Sequence, residues 1–363
     1  MTNKHTATTI DLFCGAGGLS LAARNVGIRV LGAIDIDHNA CRTYQRNFTG
    51  RRKDKPVLLQ KDILEIHAME FLRQLGLRAG HLDILMGGPP CQGYSLHRLK
   101  NSGVKDPRNA LLVRYIEFVA EIQPKAFIIE NVPGLLCDRH REYVRKLYIL
   151  AKRAGYDLAR PVVLNAADYG VPQTRKRVFI IGTRGNLPSD FQWPPTPTHF
   201  DPKSMLVKQA GCQSWQTASI VFSKPISTGD PNNVHMCHSP EMMRVFASTP
   251  RNGGSRRHSN RMLQCHATHD GHWDVYGRID PFKPGPTMTT ACINPSKGRF
   301  LHPTNNHGIT VRHAARFQTF PDDFFFEGGL ISAAAQVGNA VPIRLGEAVL
   351  RVVLGLVNRT PDE

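Results

Sequence analysis

The chain has 363 residues, 41% of them hydrophobic and 21% charged, with a formal net charge of +17. That length and apolar content suit two domains with a full core and exclude a disordered or fibrous chain. The charge suits a polyanionic partner, most simply nucleic acid, against the plain alternative of a soluble basic protein. No apolar run approaches membrane-spanning length and Met1 to Thr9 is polar, so neither a membrane segment nor a signal peptide is expected. The 8 cysteines fall at scattered spacings, which predicts free thiols in a reducing, cytoplasmic setting.

Ile10 to Leu12 predicts a short strand running into Phe13-Cys14-Gly15-Ala16-Gly17-Gly18. The apolar positions Leu19, Ala22, Ala23 and Val26 then predict a helix ended by Gly27. A strand, a glycine-rich turn and a helix form a nucleotide-binding opening, because glycine lets backbone approach a ligand. The spacing is Gly-x-Gly-Gly rather than Gly-x-Gly-x-x-Gly, which disfavours a dinucleotide. Ile28 to Ile34 predicts a second strand ending at Asp35, followed by Asp37. An acid there is placed for ribose hydroxyls, or is a solvated turn residue. Val57 to Leu59 predicts a third strand, with Asp62 after it. Three strands, each ending in a polar ligand group with helices between, describe half of a doubly wound α/β sheet.

Leu82 to Met86 predicts a short buried strand, stopped by the stiff turn Gly87-Gly88-Pro89-Pro90. Cys91 comes next, followed by Gln92 and Ser95. A thiol on a rigid turn at the carboxyl end of a strand stands where α/β folds place reactive groups; a buried structural cysteine is the alternative. The polar segment Leu96 to Arg108 carries His97, Arg98, Lys100, Lys105 and Arg108, and its length predicts a functional loop. After a helix with Leu111, Leu112, Tyr115, Ile116 and Val119 on one face, Ala126 to Ile129 predicts a strand that delivers Glu130-Asn131-Val132-Pro133. Glu130 faces Cys91 in one reading and heads a helix in the other. A helix over Tyr143 to Ala154 and a strand over Val162 to Leu164 follow, and Gln173-Thr174-Arg175-Lys176-Arg177 leads into a strand over Val178 to Ile181. Alternate residues of an extended segment share a face, so Gln173, Arg175 and Arg177 are expected to point together. Such a face suits an anionic or base-bearing ligand, or is a solvated basic edge.

From Gly185 to about Pro286 the periodicity weakens, and Pro, Gly, Ser, Asn and His accumulate. A basic cluster over Arg251 to Arg261, with Arg256 and Arg257 beside Gly253-Gly254, suits close approach to phosphates or a groove. His235, Cys237, His238 and the run Cys265 to His272 contain zinc-ligand residue types without a paired-ligand spacing, so no metal is expected. His313 to Phe320 predicts a short helix. Gln336-Val337-Gly338-Asn339-Ala340-Val341-Pro342 precedes an amphipathic helix with Leu345, Ala348, Val349, Val352 and Leu356 on its apolar face.

Taken jointly, these motifs resemble the DNA (cytosine-5)-methyltransferases of bacteria and phages. Asp11 to Gly18, Pro89-Pro90-Cys91-Gln92, Glu130-Asn131-Val132, Gln173-x-Arg175-x-Arg177 and Gln336-x-Gly338-Asn339-x-Val341-Pro342 match the family's motifs in the family's order. The likeness covers most of the chain apart from about 185 to 277. It implies a doubly wound mixed α/β sheet of the S-adenosylmethionine-dependent type, with a smaller, loop-rich target recognition domain. The boundaries expected are 1–184 for the catalytic and cofactor-binding domain, 185–309 for target recognition, and 310–363 for a segment returning to the catalytic domain. S-adenosylmethionine is implied as methyl donor, bordered by Phe13, Gly15, Gly17, Gly18, Ile36 and Pro89. Asp35 would hold its ribose in place of the family's usual glutamate, and Asp62 and Asn339 would contact its adenine and methionine ends.

The resemblance assigns Cys91, Glu130, Arg175 and Arg177 to catalysis. Cys91 would attack cytosine carbon 6, since sulfur is strongly nucleophilic even with little thiolate present. Glu130 would serve ring nitrogen 3 and the exocyclic amine, Arg177 the carbonyl oxygen, and Arg175 the phosphate or the carboxylate. The base must leave the duplex first, with the loop after Cys91 as lid. Gln92, Ser95, Arg98, Gln173, Arg256 and Arg257 are expected to contact double-stranded DNA. A monomer acting in restriction-modification or alone is the leading expectation. The same chemistry on RNA, a non-catalytic DNA-binding homologue and a dinucleotide oxidoreductase are the competing ones.

Overall fold

The structure is a computed structural model that describes residues 6–48, 55–90, 109–208, 212–259 and 274–359. The chain divides into two compact units. The first comprises 1–165, 176–196 and 346–363, and the second 166–175 and 197–345.

In the first unit, strands and helices alternate: β1 (Thr8–Leu12), α1 (Gly18–Asn25), β2 (Arg29–Asp35), α2 (His38–Asn47), β3 (Val57–Gln60), α3 (Ala68–Gln74) and β4 (Ile84–Gly87). There follow α4 (Asn109–Ile122), β5 (Ala126–Asn131), α5 (Arg141–Arg153), β6 (Tyr156–Leu158), β7 (Val162–Asn165) and β8 (Lys176–Arg184). The sheet order is β3-β2-β1-β4-β5-β8-β6, with β7 also pairing β8. The first five strands run parallel, and β8 runs antiparallel to β5, β6 and β7. Helices covering both faces explain why β4 and β5 read as unbroken apolar runs: every residue of both is buried. Leu85, Phe118, Phe127 and Ile129 belong to one core cluster with Phe71 of α3 and Tyr115 of α4. The Tyr115 hydroxyl reaches the carbonyls of Leu85 (2.9 Å) and Ile128 (2.8 Å), fixing α4 over β4 and β5.

Strand order reverses around β1, which has β2 on one side and β4 on the other. In an open α/β sheet the crevice beyond the carboxyl ends of the strands at such a point is where ligands bind. The turn after β1, Asp35 and Ile36 after β2, Gly88 to Pro90 after β4 and Glu130-Asn131 ending β5 all lie at that end. Because β8 is antiparallel, its first residues, Lys176 and Arg177, lie there too.

The second unit holds little regular structure: β9 (His199–Phe200), β10 (Gln213–Ser214), α6 (Ser219–Phe222), α7 (Pro240–Ser248), α8 (Val311–Phe317) and α9 (Leu330–Asn339). The last helix, α10 (Ile343–Val357), belongs to the first unit from Gly346 onward. Buried side chains here do what sheet ladders do elsewhere, since buried carbonyls need donors. Arg278, 1% exposed, donates to the carbonyls of Phe246 (2.6 Å), Thr249 (2.9 Å) and His302 (2.9 Å). Asn232 and Phe326 exchange two hydrogen bonds, and Arg312 is paired with Asp230 at 2.5 Å. Gln173 accepts from Met288 N (3.0 Å) and donates to Phe317 O (2.7 Å), which gathers 166–175 into this unit. The catalytic span expected to run unbroken to 184 is therefore interrupted at these ten residues.

Candidate active site

Glu130 and Arg177 meet by register. Glu130 stands opposite Phe179 in the β5–β8 pair, and Arg177, two residues along β8, is its diagonal neighbour on the same face. The Arg177 Nε–Glu130 Oε1 distance is 2.9 Å, and both side chains are largely buried. Gly88 makes room for this carboxylate: a Cβ there would lie 2.9 Å from Glu130 Oε2. The next residue, Asn131, donates from Nδ2 to Pro89 O at 3.1 Å and so ties the end of β5 to the turn after β4. Pro89 is buried and Pro90 exposed. Cys91, Gln92, Ser95 and Arg98 lie outside the described residues. The turn that leads to Cys91 is thus fastened to the strand that carries Glu130.

The turn after β1 is built from left-handed backbone. Phe13 (φ 59°), Gly15 (φ 53°) and Gly17 (φ 95°) all adopt it, a sparsely populated region for phenylalanine. A Cβ on Gly15 would meet nothing within 4 Å, so the turn presents open backbone, whereas one on Gly17 would strike the Phe48 ring. Gly18 begins α1. Asp35 braces the same turn: Oδ2 accepts from Gly15 N (2.7 Å) and Oδ1 from Asp37 N (2.8 Å). Burial raises its pKa above the usual carboxylate value. Its remaining lone pairs stay available to a hydroxyl. Ile36, 65% exposed, extends past β2 as an apolar shelf. Asp37 caps α2 through Ala40 N (2.7 Å), and Asp62 caps a short turn through Leu64 N (3.0 Å). Asn339, at the end of α9, is exposed.

Sequence reasoning missed a buried chain beneath this turn. Tyr44 donates to Ser20 Oγ (2.9 Å), which donates to Asp11 Oδ2 (2.6 Å). Burial pushes the Asp11 carboxyl up to about 7, and its Oδ1 has no hydrogen-bond partner among the described residues. A polar residue inside the β1 run was the available signal.

Two expected contact residues are placed otherwise. Gln173 is fully buried, and its amide serves Phe317, Gln318 and Met288 rather than DNA. Arg175, 1% exposed, donates to the carbonyls of Met288 (2.6 Å), Gly338 (2.7 Å) and Ala340 (3.1 Å). These hydrogen bonds make its guanidinium a brace of the second unit. The strand begins only at Lys176, so Gln173 and Arg175 do not share a strand face with Arg177. Arg256 is also buried, whereas Arg257 is exposed. His235 stacks on His307 (ring centroids 4.1 Å apart), and Cys265 to His272 lie outside the described residues. Among the described residues no group of three His, Cys, Asp or Glu could hold a metal ion. No helix there is long and apolar enough to cross a membrane.

The family model described as "C-5 cytosine-specific DNA methylase" matches residues 7–354. The chain is 32% identical over 352 residues to the Type II methyltransferase M1.HphI of Haemophilus parahaemolyticus, covering 96% of this chain and 86% of that one. It is 30% identical over 384 residues to the Type II methyltransferase M.XorII of Xanthomonas oryzae, covering 98% and 86%. Among solved structures, a candidate DNA modification methyltransferase encoded within an Escherichia coli prophage superposes with a TM-score of 0.72 at 24% identity. That superposition covers 97% of this chain and all of the other. It places the sheet in the doubly wound mixed α/β class of these enzymes.

Proposed function

Because the chain belongs to the C-5 cytosine-specific DNA methylase family, we propose that it methylates carbon 5 of a flipped-out cytosine in duplex DNA, using S-adenosylmethionine and a transient Cys91 adduct. Its enzyme class, DNA (cytosine-5-)-methyltransferase, follows from the family; the residue roles are our reading. The observation that carries them is the Glu130–Arg177 pair, set at 2.9 Å beside the turn that leads to Cys91.

The residues at the strand ends fit the methyl donor. The open backbone at Gly15 suits a carboxylate or a sugar, the exposed Ile36 suits an adenine face, and the unpartnered Asp11 Oδ1 suits a donor such as an amine or a bridging water. Phe13, Gly17, Gly18, Asp35, Asp62 and Pro89 complete the proposed set in the first unit. When bound, S-adenosylmethionine supplies an electrophilic methyl group.

The protein's own part is to make carbon 5 a nucleophile. The Cys91 thiolate adds to carbon 6, and the electron pair of the 5,6 double bond becomes available at carbon 5. Glu130 provides the proton or hydrogen bond that ring nitrogen 3 needs as charge builds, and accepts from the exocyclic amine, which selects cytosine over thymine. Arg177, paired with Glu130 in the free site, offers its remaining donors to the carbonyl oxygen. After methyl transfer a base removes the carbon 5 proton, and the electrons of that bond expel the Cys91 sulfur. The part of the expected recognition span 185–309 that lies in the second unit, residues 197–309 with Arg257 exposed among them, reads the DNA sequence. The role is modification, alone or beside a restriction enzyme.

The test supplies labelled S-adenosylmethionine with unmethylated genomic duplex DNA or with transfer RNA, and analyses the nucleosides. Label in 5-methyldeoxycytidine of the duplex is the expected result. Label only in RNA, or on an exocyclic amine, contradicts the reading.

A further inference from the structure

Phe282 is 74% exposed, the highest value of any large hydrophobic residue described. It stands in Asp280-Pro281-Phe282-Lys283-Pro284, and its backbone is fastened on every side. Ser219 N donates to Pro281 O (2.9 Å), Ala218 N to Lys283 O (2.8 Å), and Phe282 N to Asp280 Oδ1 (3.0 Å). The two prolines fix φ at their own positions. The ring is thus held out on a stiff base. An exposed phenylalanine contributes little to folding, whereas a rigidly presented one costs little further ordering when a partner covers it.

The surroundings say which partner. The Lys283 side chain is 77% exposed, with its ammonium 3.2 Å from Asp280 Oδ2 at the base of the same loop. The basic turn packs against the base of this loop, since a Cβ on Gly253 would lie 3.0 Å from Asp280 Cβ, and Arg251 and Arg257 on that turn are exposed. An apolar plate among cations matches a polyanion with flat apolar faces, which is a nucleic acid.

We infer that Phe282 is a wedge that packs its ring against the bases of duplex DNA while the neighbouring cations hold the backbone. This rests on the reading above that duplex DNA is the substrate. Nothing in the periodicity of this loop-rich span marked Phe282 for that role.

The test is the KM for unmethylated genomic duplex DNA at several salt concentrations, for wild type, Phe282→Ala, Phe282→Trp and Arg257→Ala. Phe282→Ala should raise KM roughly tenfold at every salt concentration, with kcat and melting temperature retained. Phe282→Trp should stay near wild type. Arg257→Ala should reduce the salt slope by about one, the mark of a lost phosphate contact. A Phe282→Ala protein with wild-type KM overturns the inference and leaves the methyl-transfer reading standing. A wild type that transfers no methyl group to duplex DNA sinks both.

Discussion

At the residue scale, the site depends on how one carboxylate is housed. Glu130 fits because position 88 has no side chain, and it is aimed because Arg177 is its diagonal neighbour in an antiparallel pair. Replacing it with glutamine keeps the shape and removes both the ion pair and the acid. Glu130→Gln should therefore lower the single-turnover rate of methyl transfer by roughly 100-fold or more, with the cofactor dissociation constant changed by less than about twofold. Single-turnover assays and a cofactor titration check this, and a wild-type rate would remove Glu130 from the chemistry. Glu130 and Arg177 were legible because each stands at the end of a clear apolar strand. Arg175 misled because its alternation with Arg177 is real in the sequence. A guanidinium buried under three carbonyls contributed by residues 113 to 165 positions away leaves no local pattern.

At the element scale, the parallel half of the sheet was readable because each strand is short, apolar and closed by Gly, Pro or Asp. In the second unit the helix expected at His313 to Phe320 is present as α8, but most of the rest was not readable, because buried Arg278, Arg312, Asn232 and Gln173 help to hold its irregular segments. The same unit contains four imidazoles in contact. His235 stacks on His307, and His302 lies 5.5 Å from His307 and 5.3 Å from His313 between ring centroids. Burial lowers the His302 pKa from 6.5 to about 4 and that of His313 to about 3. His313 must stay neutral at Nδ1 to receive the Thr310 amide in its capping box. A histidine depressed in the folded state contributes stability that is complete above 6.5 and is lost as pH falls toward its folded value. Each costs at most about 1.4 kcal/mol per pH unit inside that window, and less for the partly exposed His302. Urea unfolding should thus show stability falling from pH 6.5 to 4.5, with a shallower fall in His302→Gln. Equal slopes for the two proteins would mean that His302 does not titrate with unfolding.

At the scale of the whole molecule, charge and motif order pointed to the substrate before any geometry did. A net charge of +17 suits a protein that displaces counterions from duplex DNA. The polar reach of the first unit lies at one end of the sheet, where the turns after β1 and β4 and the start of β8 converge. What the sequence could not convey was how firmly the turn before Cys91 is held, by Asn131 on Pro89 and by the space over Gly88. The central claim is that this turn presents an attacking thiol. It is tested most directly with mixed-sequence duplex DNA containing 5-fluorodeoxycytidine, incubated with protein and S-adenosylmethionine and then denatured. Fluorine at carbon 5 cannot leave as a proton does, so the sulfur cannot be expelled. The account predicts a denaturation-resistant protein–DNA adduct that maps to Cys91 and is absent from Cys91→Ala. A wild-type protein that methylates unmodified duplex DNA yet forms no such adduct, or an adduct that persists in Cys91→Ala, would contradict it.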